Sequence, residues 1–234
     1  MASALTVLTY GEREKYDELL NALEDASVQA DCGSVEWTKP LSNQFRFSDG
    51  HAHLTAYVHL RDWRWRGTSR KGIHILLSIQ ETIRCSDKVL VSSCIHSDYY
   101  LVQGGAANFL QSVRFDFEGT KDCHPLFHAQ LNADRIALAG FTAKEIGFEY
   151  QIDPAPWTCF RDARIPTSDM TLPSVLLCLA ADHFGKIFFC QFREEAMALQ
   201  EALPHPAINS LSQSLMDAPR HIRSSHWFAH TIKS

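Results

Sequence analysis

At 234 residues, with 45% hydrophobic and 21% charged side chains, the chain has the make-up of an ordinary globular protein, not of a disordered or fibrous one. A net charge of −5 excludes a protein that coats nucleic acid by bulk charge, while leaving room for a local basic patch. No window approaches the run of about 20 apolar residues that spans a bilayer, and the N-terminus carries neither a basic leader nor the apolar stretch of a signal peptide.

The seven cysteines form an odd set, and no two lie in a CxxC spacing. That pattern predicts free thiols in a cytoplasmic protein, with neither a disulfide framework nor a structural zinc site. The length suits one domain over 1–234, with 218–234 as a candidate flexible tail.

Residues 11–30 predict the first helix. Tyr16, Leu19, Leu20 and Leu23 recur on one helical face, Glu12, Glu14, Lys15, Asp17 and Glu18 fill the other positions, and Gly33 follows as a stop. The period then changes to two. In "HAHLTAYVHLRDWRW" Leu54, Ala56, Val58 and Leu60 share one face, while His53, Thr55, Tyr57 and His59 share the other. "NQFRFSD", "KVLVSSCI" and "SVRFDFEG" read as further strands, as do "HPLFHAQL" and "EIGFEYQI". "GIHILLSIQETI" is apolar enough for a strand but is also compatible with a helix. The gaps are short and turn-rich, so neighbouring strands should run antiparallel.

Helical spacing returns in the last third. Thr171 stands as N-cap with Pro173 in the first turn, and Leu172, Val175, Leu176, Leu179 and His183 mark one face before Gly185. A second stripe runs through Phe188, Phe192, Ala196, Leu199 and Leu203 to Pro204, and a shorter helix is expected at 208–217. The expected class is α+β: a mainly antiparallel sheet of about six to eight strands, covered by an N-terminal helix and a C-terminal helical group.

Three places could carry chemistry. In "DCHPLFHAQL" a strand puts His124 and His128 on one face near Asp116 or Glu118 of its partner, which could supply an acid and a base near neutral pH. The simpler expectation for His128 is a sheet position held by a hydrogen bond. In "RDARIPTSDM" Arg164 precedes the capped helix and could bind an anion or clamp the loop through Asp162 or Asp169. In "RDWRWRGTSRKG" Arg61, Arg64, Arg66, Arg70 and Lys71 interleave with Trp63 and Trp65, and simple alternation puts both tryptophans on one face. Such a hairpin suits a protein partner, since arginine and tryptophan dominate interfaces. It also suits phosphates and stacked bases, while the simpler expectation is a solvated hairpin end whose tryptophans pack on the domain. His183, on an apolar helix stripe, reads as a packing residue whose charged form the helix C-terminus should favour.

The reading that needs no unobserved constellation is a cytoplasmic accessory subunit holding a protein partner through the 61–72 hairpin. A nucleic-acid-contacting protein using the same hairpin is the first alternative. The second is a metal-independent hydrolase or nuclease using His124, His128 and Arg164. No metal site, cofactor or membrane contact is expected on any of the three.

Overall fold

Thr9 starts the first helix with a reciprocal cap: its hydroxyl accepts from the Glu12 amide at 3.3 Å, and the Glu12 carboxylate accepts from the Thr9 amide at 2.8 Å. The helix, α1, runs Tyr10–Gln29 and buries Tyr16, Leu19, Leu20, Leu23 and Ala26. It ends before Gly33, because Asp31 itself adopts the left-handed conformation, with φ 48°. Gly33 is needed for a different reason. A β-carbon there would stand 2.3 Å from the Arg61 carbonyl oxygen and 2.6 Å from the Trp63 ring.

The computed structural model describes residues 8–64, 72–118, 127–131, 151–153, 164–166 and 171–206. These form one sheet, with strands β1 (Ser34–Glu36), β2 (Phe45–Ser48), β3 (His51–Trp63), β4 (Ile73–Arg84), β5 (Val89–Gln103), β6 (Ala106–Glu118), β7 (Phe127–Leu131), β8 (Gln151–Asp153), β9 (Arg164–Pro166) and β10 (His205–Pro206). Helices α2 (Leu172–His183) and α3 (Lys186–Gln200) follow β9. The order β1-β3-β4-β5-β6-β7-β9 is antiparallel throughout, with β2 antiparallel beside β3. Among the described strands, only β8 on β6 and β10 on β5 run parallel.

The expected α+β class therefore holds, and the ambiguous "GIHILLSIQETI" is the central strand β4. Its apolar run is explained by burial on both faces over most of its length, which hides the alternation. The expected helix at 208–217 and the tail 218–234 lie outside the described residues.

One face of the sheet is the core. Leu54, Ala56, Val58 and Leu60 of β3 stand beside Ile75, Leu77, Ile79 and Ile83 of β4 and Ile95 of β5, in one hydrophobic cluster with the buried stripes of all three helices. Full burial of each such aliphatic side chain stabilises the fold by about 1.5–3 kcal/mol. The opposite face carries a different set: His53, Thr55, Tyr57 and His59 on β3, Gln80 and Thr82 on β4, Cys94, His96 and Asp98 on β5, and Ser112, Arg114 and Asp116 on β6. The helices occupy the first face, so any chemistry borne by these polar rows belongs to the second.

Candidate functional site

The basic hairpin is the first expected site, and its base is structural. Between Leu60 and Trp63 the register of β3 against β4 shifts, and Asp62 takes φ 57°. This bulge inserts one extra residue and reverses the alternation. Trp63 consequently turns into the core, fully buried, with its indole N–H donating to the Ser34 carbonyl at 3.1 Å and its ring against Phe184 and His183. Arg64 donates to the Ala30 carbonyl at the end of α1 at 2.9 Å, with Asp31 3.7 Å away. Arg61 is half-exposed and lies 3.5 Å from Glu36 and 3.6 Å from Asp62. Trp65, Arg66, Arg70 and Lys71 lie outside the described residues.

His183 is buried, as a packing residue should be, and its Nδ1–H donates to the Arg64 carbonyl at 2.8 Å. Its charge differs from the expectation. Burial holds its pKa below the ordinary value and outweighs the pull of the Arg64 carbonyl and of Asp182.

His128 lies on a strand that pairs with "VRFDF", directly opposite Asp116 in the register. Arg164 stands opposite Gln130 on the far side of β7. The backbone thus brings both to the rows that hold Asp116 and Gln130. His124 lies outside the described residues, as do Asp162 and Asp169.

At one end of the second face the sheet encloses a cleft of about 320 Å³. Its walls are His53 and Thr55 of β3, Gln80 and Thr82 of β4, Ser92 and Cys94 of β5, and Asp116 of β6. The His53 Nδ1 lies 3.3 Å from the Thr82 hydroxyl. No lysine or arginine is among the described lining residues. Arg114 binds Asp116 at 2.7 Å and donates to the Gln130 side-chain oxygen at 3.0 Å, which fixes the carboxylate at the rim.

Directly along β5 from Cys94, His96 puts its Nε2 2.5 Å from the Ser112 hydroxyl and 3.2 Å from Asp98 Oδ1. Asp98 is fully buried and also accepts from the Tyr100 hydroxyl at 3.4 Å. Serine, histidine and aspartate are the residue types of a hydrolase triad, but both contacts fall on the same ring nitrogen. An imidazole so held cannot take a proton from Ser112 while Asp98 steadies its other nitrogen, so Ser112 is not an activated nucleophile. "HSD" at 96–98 was visible as two polar residues of one strand face; nothing in the alternation marked it out from neighbouring serines and histidines.

A second histidine group stands at the β1 end of the same face. His59 Nε2 and His74 Nδ1 are 2.8 Å apart, and both rings are fully buried. Asp62 lies 3.2 Å from His74 Nε2, and Glu36 lies 3.6 Å from His59 Nδ1. Arg61 faces both carboxylates, closing a ring of five groups. The acceptor-only Asp62 fixes a proton on His74 Nε2, so in the neutral pair His59 Nε2–H donates to His74 Nδ1. Burial pushes the His74 pKa down, against the opposing pull of Asp62.

Among the described residues no group of three or more histidine, cysteine, aspartate or glutamate side chains is arranged to hold a metal ion. No described helix is long and apolar enough to cross a membrane. Comparison with protein-family models, with curated proteins and with solved structures gives no match, so the functional reading rests on this geometry.

Proposed function

We propose that the protein binds a compact, neutral or cationic polar ligand in the cleft at one end of the polar face of its sheet. The lining carries this reading. Hydroxyl, amide and imidazole groups from three adjacent strands, with a carboxylate from the fourth, converge on about 320 Å³, at the lower end of the sizes of small-molecule sites. Such a wall replaces the hydrogen bonds that a hydroxyl- or amide-rich ligand gives up on leaving water. Asp116 is the carboxylate at the rim, and the described lining offers no cation, which disfavours an anion there.

Thermal melting in the presence of monosaccharides, polyols, primary amines and inorganic phosphate tests this. A ligand at 100 times its Kd stabilises by about 2.7 kcal/mol. For a chain of this size that is a Tm rise of roughly 5–10 °C. The rise should vanish in Gln80→Ala and Asp116→Asn. Stabilisation by phosphate alone would overturn the assigned ligand class, and no shift with any compound would overturn the cleft as a site.

A second reading is favoured by the bracing of residues 61–64. Trp63 in the core, Arg64 on the end of α1 and His183 on the Arg64 carbonyl give the 61–72 arm a fixed base. A fixed base lowers the entropy cost of binding, which suits an accessory subunit that holds a protein partner through Arg66, Arg70 and Lys71. The described cysteines, Cys32, Cys85, Cys94, Cys178 and Cys190, are free thiols, which supports a reducing compartment such as the cytoplasm.

A further inference from the structure

The register makes the cleft a trench that crosses the strands. One wall is the row His53, Thr82 and Ser92, side by side on β3, β4 and β5. The other is the next row on the same face, Thr55, Gln80, Cys94 and Asp116. Leu54, Glu81, Ser93 and Phe117 hold the positions between the two rows. All four are buried, and alternation turns their side chains to the core, so they present main chain to the trench. Main-chain groups inside a sheet are bonded to the neighbouring strands, which leaves recognition to the walls. Two residues of strand rise set the rows about 7 Å apart, and four strands make the trench about 14 Å long.

Its two ends differ in charge. At the β3 end stand the imidazole of His53 and the hydroxyl of Thr55. At the β6 end stands Asp116, and Glu118 takes the register position opposite Ser92, so both rows close on an acidic position. Arg114 belongs to the third row, with His96 and Gln130, and it is not among the lining residues. It therefore grips Asp116 from the side away from the trench. His128 takes the position opposite Asp116 on β7, outside the four strands of the trench. A carboxylate has about four acceptor positions, so the Arg114 bond leaves capacity for a further donor.

We infer that the ligand of the cleft is a hydroxylated primary amine, an amino alcohol or amino sugar, with its ammonium at Asp116 and its hydroxyls along the walls toward β3. The inference rests on the cleft as the ligand site and names the class it takes. An ammonium carries three donors and no acceptor, so it matches the acceptor-only end of the trench. Hydroxyls donate and accept, as do those of Thr82 and Ser92 and the carboxamide of Gln80. The narrow spacing of the rows admits one chain or one ring, not two abreast.

Thermal melting of the full chain in an amine-free buffer tests this with matched pairs: ethanolamine against ethylene glycol, glucamine against sorbitol, glucosamine against glucose. At least one amine should bind about 10–100-fold more tightly than its alcohol, the range of one hydrogen bond to a charged group. Raising NaCl from about 0.05 to about 0.5 M should weaken the amine and leave the alcohol unchanged. Asp116→Asn should bring the amine down to its alcohol, while Ser92→Ala should weaken both and keep the preference. Alcohols that bind as tightly as their amines, or a preference that survives high salt or Asp116→Asn, would overturn the amine class and leave the cleft standing. If no member of any pair moves the Tm, the cleft falls and the inference with it. The salt comparison needs wild-type protein alone, so it decides the matter even where Asp116→Asn fails to fold.

Discussion

Glu81 shows how one side chain can set the pH range of the fold. It lies on the core face of β4, fully buried, where the Tyr16 hydroxyl donates to it at 2.7 Å and the Ser93 hydroxyl at 3.3 Å. Burial outweighs these two donors and pushes its pKa up to about 7. The unfolded chain holds this proton less tightly, near 4.5, so the contribution to stability is full below that value and is lost as pH rises through 7. The loss amounts to about 3 kcal/mol at most, taking 1.36 kcal/mol for each pH unit of displacement. Glu81→Gln keeps the shape and the acceptor, so its melting temperature should stay flat between pH 5 and 8 where that of wild type falls. Equal slopes would place the ionised carboxylate in a better-solvated setting than its burial implies. The sequence gives no hint of this residue, because a glutamate between Gln80 and Thr82 in an alternating strand reads as one more polar position.

At the scale of an element, the 61–72 arm shows what periodicity can and cannot reveal. The strand itself was legible from the alternation over residues 53–60, while the bulge at Asp62 was not, since one extra residue leaves composition unchanged. That single insertion turns Trp63 from the face that simple alternation assigns it into the core, where it packs on the domain. Trp63→Ala should therefore cost about 3–5 kcal/mol, readable in urea unfolding. Charge reversal at Arg64 should also destabilise, by roughly 1–2 kcal/mol, because it removes a charge-assisted hydrogen bond from the end of α1. Arg66, Arg70 and Lys71 are thus the cleaner positions for testing a partner surface.

The ring of Glu36, His59, His74, Asp62 and Arg61 works at the same scale, tying β1 to β3 and β4. The pKa of His74 is held below 6.5, so the unfolded chain takes up this proton first, and stability present above 6.5 is lost as pH falls through the folded value. Around the pair, the charged groups on the described elements are Glu36 of β1, Arg61 and Asp62 of β3, and Asp98 of β5. Protection of the Val35 and Glu36 amides against exchange should fall as pH drops below 6.5 in wild type. In His74→Gln the acid dependence should disappear, and its persistence would assign the loosening to another group.

For the whole molecule, class and strand direction followed from the change between periods of two and 3.6, and from the short gaps. The α1 and α2 helices came within one residue at each end, because amphipathic stripes and caps are local signals. The polar face was legible only in part. Individual rows such as His53, Thr55, Tyr57 and His59 stood out, but their assembly across four strands into a cleft depends on registers and bulges between segments far apart in sequence. Net charge makes a prediction at this scale. Binding of a neutral ligand in the cleft should barely respond to salt, whereas a cationic one held by Asp116 should weaken as salt rises. Nucleic acid held by the arm's Arg66, Arg70 and Lys71 would instead show log affinity falling against log salt with a slope of roughly −3, at −0.9 per phosphate neutralised. A protein partner anchored by apolar contact would leave that plot nearly flat.

Strand β10 pairs His205 and Pro206 with Val89 and Leu90, just beyond the point where β6 stops at the level of Ser92. This closure joins residues that leave the ribosome far apart. At about 5–20 residues per second, the Val89–Leu90 edge waits several seconds for its cover. During that interval an open apolar strand edge is a template for pairing with other chains. Pro206 then ends the addition, having no amide proton to offer beyond it. His205 and Pro206 should therefore shield this edge of the newborn chain from association. Truncation before His205 should leave the helices intact but lower the soluble yield, and a fully soluble truncated chain would show that the edge has another cover.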